Sequence, residues 1–217
     1  MSNYRAITFF DLDGTLLDSR SKITPEVANA MEALKKNNVL PVIATGRTEA
    51  EIKHIMSDAG ITSAVTMNGS YISVDGKEIH SEKFSTDECQ RMLDHVTSQG
   101  HQLSFYNHQN IWCTSHDQTM IEAYDFIHST VPEINPYAFL DHPINMLLIL
   151  SKSGDEYYHE HFPELTFYRN GPYSIDTVKK GISKGVGVKR LKQEMDLADV
   201  PTFGFGDGPN DFALLEA

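Results

Sequence analysis

Residues Ala6–Asp18 read AITFF-DLDGTLLD, a run of five residues, all apolar but Thr8, that meets an acid-rich turn. Ala6–Phe10 is short, continuous and aromatic, as expected of a strand covered on both faces. Asp11 falls at its carboxyl end, and Gly14 permits the sharp turn that follows. In open parallel sheets that end of a strand is where ligands collect. Strand alternation predicts that Asp11 and Asp13 point the same way and that Leu12 enters the core. Two carboxylates so placed repel each other unless a cation or a shared proton intervenes. The pair therefore points to a metal and to acid/base chemistry.

Working outward, Thr24-Pro25-Glu26 starts a helix with a cap residue, a proline at the first helical position and an acid. Val27, Ala30, Met31 and Leu34 form its apolar stripe. Val39–Ala44 reads as a second buried strand, closing on Thr45-Gly46-Arg47. Thr48–Glu51 is a capping box, Ile52, Ile55, Met56 and Ala59 follow at helical spacing, and Gly60 stops the helix. Ala64–Met67 is a third strand, closing on Asn68-Gly69. This alternation predicts a parallel sheet with right-handed crossovers, so the three strand ends share one rim.

The pattern then changes. Tyr71–Val74, Asp75-Gly76 and Lys77–Ile79 predict a hairpin with a type I′ turn. A helix carrying Cys89, Met92, Leu93 and Val96 precedes strands near Gln102–Tyr106 and Ile111–Thr114. A helix around Met120–His128 and strands at Met146–Leu150, Leu165–Tyr168 and Tyr173–Val178 complete the expected insert. The parallel pattern resumes in a helix carrying Val188, Leu191 and Met195 and a last strand, Thr202–Phe205, that ends on Gly206-Asp207. The fold class expected is thus α/β: a doubly wound, Rossmann-like core from residues 1–81 and 180–217, with an inserted α+β domain over 82–179.

The chain has 217 residues, enough to bury a proper core, and a net charge of −12 from 18 basic and 30 acidic residues. That excess disfavours nucleic acid and anionic membrane as partners, so an anionic substrate must be met by local positive groups. Cys89 and Cys113 form neither a disulfide framework nor a zinc spacing, which predicts a reducing, cytoplasmic setting. No apolar run reaches the length of a signal-peptide core or a membrane span. A monomer or homodimer is expected.

The chemistry gathers in four pieces: Asp11-Leu12-Asp13-Gly14-Thr15; Thr45-Gly46-Arg47; Lys184 within Ser183-Lys184-Gly185; and Gly206-Asp207-Gly208-Pro209-Asn210-Asp211. Three lie at ends of predicted parallel strands and one opens a helix. Two acids, a hydroxyl, a lysine and a second acid pair are what phosphoryl transfer through an aspartyl-phosphate needs. Competing readings are weaker. A calcium loop starting at Asp11 would put Leu16 and Lys22 at its glycine and glutamate positions. His159 and His161, flanked by Glu160 and Glu164, lack a clear third metal ligand. The glycines make no dinucleotide fingerprint after a first strand.

With these four motifs in order along essentially the whole chain, the sequence resembles the haloacid dehalogenase-like superfamily. Within it, the sequence is similar to the Cof-like, sugar-phosphatase-like branch, whose large type IIB cap lies between the second and third motifs. The resemblance implies a Mg²⁺-dependent phosphatase acting on a small phosphorylated metabolite. Asp11 would be the nucleophile, and Asp13 the acid that protonates the leaving alkoxide and later the base that activates water. Asp11, the Asp13 carbonyl and Asp207 would hold Mg²⁺, with Asp211 and Asn210 supporting that shell. Thr45, Gly46, Asn210 and Lys184 would meet the substrate; Arg47, by its place beside Thr45, reads as a phosphate contact or a surface helix-cap arginine, and Asn68-Gly69 on the same rim as a substrate contact or a plain turn. The resemblance leaves two other readings open, a phosphomutase with the same cap and a non-catalytic phospho-ligand-binding protein. Relatives of this kind usually continue beyond the position of Ala217 through a further helix and strand, so a core without that last strand and helix is expected.

Overall fold

A computed structural model of the chain describes residues 4–127, 129–169 and 171–217. They divide into two compact units. One comprises the chain up to Ser81 together with Ile182–Ala217; the other is Glu82–Gly181.

In the first unit the elements are β1 (Ala6–Phe10), α1 (Pro25–Lys36), β2 (Val39–Ala44), α2 (Glu49–Ala59), β3 (Ala64–Thr66), β4 (Tyr71–Val74) and β5 (Lys77–Ser81). After the insert come α6 (Lys184–Glu194), β12 (Thr202–Phe205) and the short α7 (Phe212–Leu215). The sheet order is β12-β1-β2-β3-β4-β5. β12, β1, β2 and β3 are mutually parallel, and β4 and β5 close the far edge as an antiparallel hairpin. Asp75 and Gly76 both have positive φ, as a type I′ turn demands.

Alternation along each strand sorts the core into two layers. Ile7, Phe9, Val42, Ala44 and Val65 pack with Val188 and Leu191 of α6 and Leu214 of α7. Phe10, Ile43 and Ala64 pack on the other face with Met31 of α1 and Ile52 and Ile55 of α2. Helices thus cover both faces, the doubly wound arrangement read from the sequence. The crossovers diverge between β1 and β12, which places the carboxyl ends of those two strands at the switch point of the sheet.

Three glycines set how closely α6 approaches. A Cβ on Gly187 would fall on the Val65 side chain, one on Gly69 on the Ser183 carbonyl, and one on Gly185 on the Ala213 carbonyl. The first turn of α6 is therefore seated against the end of β3 and against α7 by bare backbone contact.

In the second unit the elements are α3 (Thr86–Ser98), β6 (Gln102–Tyr106), β7 (Ile111–Cys113), α4 (Gln118–Phe126), β8 (Glu133–Ile134), β9 (Met146–Leu150), α5 (Asp155–His161), β10 (Leu165–Tyr168) and β11 (Ser174–Lys179). They build a second sheet in the order β10-β11-β9-β6-β7-β8, antiparallel except for the β7–β8 pair. Its main core joins Cys89, Met92, Leu93 and Val96 of α3 to Leu103, Phe105, Leu147, Ile149 and Ile175, with Tyr158 of α5. The helix expected around Met120–His128 begins two residues earlier, at Gln118, because Asp117 caps it by accepting from the Met120 N–H at 2.8 Å. His128 itself lies outside the described residues. Among the described residues, no helix is long and apolar enough to cross a membrane.

Candidate active site

Four segments of the first unit meet at the rim where β1, β2, β3 and β12 end. The chain leaves β1 at Asp11 and coils at once through Leu12–Leu16, with Gly14 at φ 85°. The strand alternation expected through Asp13 therefore stops one residue short, which corrects the reading that placed both carboxylates by strand geometry. Leu12 is fully buried as expected, and Asp11 is buried as well. Asp13 instead stands at the surface, where Arg47 grips it in a fork. The Arg47 Nε donates to Asp13 Oδ2 at 2.8 Å, and Nη2 donates to Oδ1.

Lys184 opens α6, whose first turn is capped by the Ser183 hydroxyl accepting from the Val186 N–H at 3.2 Å. Its side chain is only 1% exposed. The Nζ donates to Asp11 Oδ1 and to Asp211 Oδ1, each at 2.6 Å. Lys179 and Lys180, its neighbours in sequence, go elsewhere: Lys179 pairs with Glu82 and Glu88, and Lys180 donates to the Pro163 carbonyl. Asp211 is equally engaged. Its Oδ2 accepts from the backbone N–H groups of Asp207 at 3.0 Å and Gly208 at 2.9 Å. One buried carboxylate thus ties the lysine to the loop that carries Asp207.

Asp207 is exposed, and its carboxylate lies over the turn that follows Asp11. The Thr15 hydroxyl donates to Asp207 Oδ1 at 3.2 Å. A Cβ on Gly14 would run into that carboxylate, so glycine is required there for space as well as for its positive φ. Thr15 belongs to the opening motif, but sequence reasoning gave it no role. Its signal was a hydroxyl within hydrogen-bonding reach of the same turn.

Carboxylate oxygens of Asp11, Asp207 and Asp211 lie within 4.8 Å of one another. An all-oxygen set of this kind suits a hard cation such as Mg²⁺. Three carboxylates against one ammonium leave two formal negative charges uncompensated, which a divalent ion matches. The electrostatics agree: burial pushes the Asp11 carboxyl above its ordinary 3.8, and the charge and hydrogen bond of Lys184 only partly oppose that rise. A cation beside Asp11 would relieve the strain on its ionised form.

Thr45 follows β2 and is fully buried. Its Oγ1 accepts from the Arg47 N–H at 3.1 Å, which leaves the hydroxyl proton to donate. Gly46 is half-buried beside it. Arg47, expected on a substrate phosphate, is committed here to Asp13. Asn68 and Asn210, both expected to meet substrate, bond each other: Asn210 Nδ2 donates to Asn68 Oδ1 at 3.0 Å.

Residues 8–217 match the family of haloacid dehalogenase-like hydrolases. The chain is 25% identical over 211 residues to YkrA of Bacillus subtilis, an alignment covering 97% of this chain and 82% of that protein. It is also 25% identical over 242 residues to the phosphatase YwpJ of Bacillus subtilis, covering 95% and 85%. Among solved structures, a protein from Geobacillus kaustophilus superposes with a TM-score of 0.88 at 27% identity, covering 97% of this chain and 83% of that one. The subclass IIB sugar phosphatase BT4131 superposes with a TM-score of 0.82 at 25% identity, covering 96% and 83%.

Proposed function

The chain belongs to the family of haloacid dehalogenase-like hydrolases, and on that footing we propose that it is a Mg²⁺-dependent phosphatase of a small phosphorylated metabolite. One observation carries this reading: Lys184, buried, bridges Asp11 and Asp211 inside a cluster of three carboxylates. A buried lysine held against a buried aspartate at a strand end is arranged to neutralise an incoming phosphoryl group and its nucleophile together.

In this reading an Asp11 carboxylate oxygen attacks phosphorus, and the bond from phosphorus to the ester oxygen breaks. Asp13 gives its proton to that leaving oxygen. Asp13, now a carboxylate, takes a proton from the water that attacks the acyl phosphate, whose P–O bond to Asp11 breaks and releases inorganic phosphate. The Thr45 hydroxyl and the Gly46 N–H donate to phosphoryl oxygens, and Lys184 balances their charge. Asp11 and Asp207 would hold Mg²⁺, with the Asp13 carbonyl, while Asp211 anchors the loop through its bonds to Lys184 and to the Asp207 and Gly208 amides. When bound, the ion supplies positive charge where phosphate and Asp11 approach each other. The exposure of Asp13 suits a group that must serve both a leaving alcohol and a water. The fork with Arg47 holds Asp13 as a hydrogen-bond acceptor, and a substrate phosphate that competes for the same guanidinium would free Asp13 to carry the proton it gives to the leaving oxygen.

The second unit, Glu82–Gly181, is inserted in the chain ahead of Lys184 and takes the part of the cap, the source of substrate specificity. Cys89 and Cys113 are both free and buried, which fits a reducing, cytoplasmic setting. Sugar phosphates come first among candidate substrates because of the likeness to the sugar phosphatase BT4131.

The test is release of inorganic phosphate from p-nitrophenyl phosphate and from a panel of sugar phosphates, nucleotides, pyridoxal phosphate and flavin mononucleotide. Turnover with Mg²⁺, lost on chelation and restored by adding the ion back, is expected without any bisphosphate activator. A folded protein that releases phosphate from none of them contradicts the proposal.

A further inference from the structure

The turn Met67–Gly69, at the end of β3, lies outside the four motifs, yet it touches three of them. Its backbone is unusual. Met67, Asn68 and Gly69 have φ of 49°, 54° and 98°, three consecutive residues in the left-handed region. All three are buried. Glycine takes that conformation freely and asparagine tolerates it, but at Met67 it is strained, so such a turn persists where its surroundings over-determine it. Here they do. The Met67 N–H donates to the Arg47 carbonyl at 3.0 Å, and the Asn68 N–H donates to the Thr45 carbonyl at 3.1 Å. Gly69 lies against the Ser183 carbonyl and Gly187, at the start of the helix that carries Lys184. The Asn68 Oδ1 accepts from Asn210, one residue from Asp211 in the loop that carries Asp207.

Asn68 therefore joins the Thr45 loop to the Asp207–Asp211 loop, through its backbone on one side and its side chain on the other. A substrate contact needs a reachable amide, whereas Asn68 has no exposed surface and its acceptor oxygen is occupied by Asn210. We propose that Asn68 is a positioning residue: by holding Asn210 it fixes the Gly206–Asp211 loop in register with Thr45, and so sets the affinity of the carboxylate cluster for its cation. This rests on the reading of Asp11 and Asp207 as the Mg²⁺ site.

The variant Asn68→Gly removes the side chain while suiting the left-handed backbone, and Asn210→Ala breaks the same bond from its other end. Mg²⁺ binding is read by isothermal titration calorimetry and by the melting temperature as a function of Mg²⁺. Each single variant is expected to weaken Mg²⁺ binding by about 10-fold, the scale on which residues supporting metal ligands act. The double variant is expected to lose little beyond either single one, because both remove one shared bond. At saturating Mg²⁺ the KM for p-nitrophenyl phosphate should stay within about twofold of wild type, since the residue does not touch substrate. Unchanged Mg²⁺ affinity with a raised KM overturns the proposal in favour of a substrate contact. Losses that add in the double variant overturn it too. Should Asn68→Gly not fold, the Mg²⁺ affinity and KM of Asn210→Ala decide between weakened cation binding, which supports the proposal, and unchanged cation binding, which overturns it. A wild-type protein that binds no Mg²⁺ sinks the underlying cation site and this proposal with it; wild-type binding left intact in the variants sinks this proposal alone.

Discussion

Replacing Lys184 by methionine is expected to lower the stability of the first unit by about 3–5 kcal/mol and to abolish phosphate release. The methionine matches the lysine stem in length and stays apolar, so the loss comes from the charge. Without the ammonium, Asp11 and Asp211 face each other as buried carboxylates with no cation between them. Removing one partner of a buried ionic group leaves an uncompensated charge, and that is the expensive arrangement. The cure distinguishes this cause from simple misfit. Asp211→Asn in the Lys184→Met background removes the second charge while its amide oxygen can still accept from the Asp207 and Gly208 N–H groups. Much of the lost stability should return, and activity should not. Urea and thermal denaturation of the wild type and both variants check the first statement, and their release of phosphate checks the second. Equal instability in the double variant would show that lysine packing, not charge, accounts for the loss.

The variant Asp11→Asn should separate stability from catalysis in the opposite sense. Asparagine has the same shape, Lys184 keeps Asp211, and the burial that pushes the Asp11 carboxyl above 3.8 no longer opposes folding near neutral pH. The sign follows from linkage. A carboxyl whose folded value is raised binds its proton more tightly when folded, so it favours the fold below the ordinary range and opposes it above. At neutral pH the metal-free variant should thus melt no lower than wild type. Its phosphate release should fall at least about a thousandfold, as when a nucleophile is removed, and the stabilisation by added Mg²⁺ should shrink because one of the cluster's carboxylates is gone. A variant that keeps its turnover would remove Asp11 from the chemistry.

Much of the frame was legible because burial writes itself into the sequence. Ala6–Phe10, Val39–Ala44, Met146–Leu150 and Thr202–Phe205 match their strands at both ends, since each is an apolar or aromatic run bounded by a turn signal. The segments that escaped lack that signature. Asp155–His161 is a single helical stretch of seven residues reading DEYYHEH, and Tyr158 is its one buried side chain, so no apolar stripe marks it. Glu133–Ile134 is two exposed residues at a sheet edge. Thr202–Phe205 was legible from its aromatic run and the Gly206-Asp207 turn signal and not from burial, since it lies at the sheet edge with Phe203 and Phe205 exposed.

At the site, the sequence marked which residues carry chemistry better than whom each one meets. Asp11, Thr45, Lys184 and Asp207 stand out because each sits at a strand end or helix start, the last three directly beside a glycine. Which side chains they or their neighbours touch depends on pairings across 34 residues for Asp13 with Arg47 and 142 for Asn68 with Asn210. No local period reports contacts of that range. The coil that begins at Leu12 had a clue in Gly14, whose positive φ marks the sharp turn immediately after Asp13. Lys184 owes its place to Gly69, Gly185 and Gly187, whose meaning emerges only when α6 is seated against β3 and α7.

The most direct measurement is to find where phosphate becomes covalently attached. The Asp13→Asn variant, lacking the base that activates water, should accumulate the intermediate when mixed with Mg²⁺ and a radiolabelled aryl phosphate, whose phenolate leaves without help from the missing acid, and quenched in acid. Labelled protein is then tested with hydroxylamine and digested with trypsin. A hydroxylamine-labile acyl phosphate is expected on the peptide Ala6–Arg20, mapped to Asp11 by borohydride reduction. Label on any other residue, or steady wild-type hydrolysis that never passes through a covalent intermediate, would contradict Asp11 as the nucleophile.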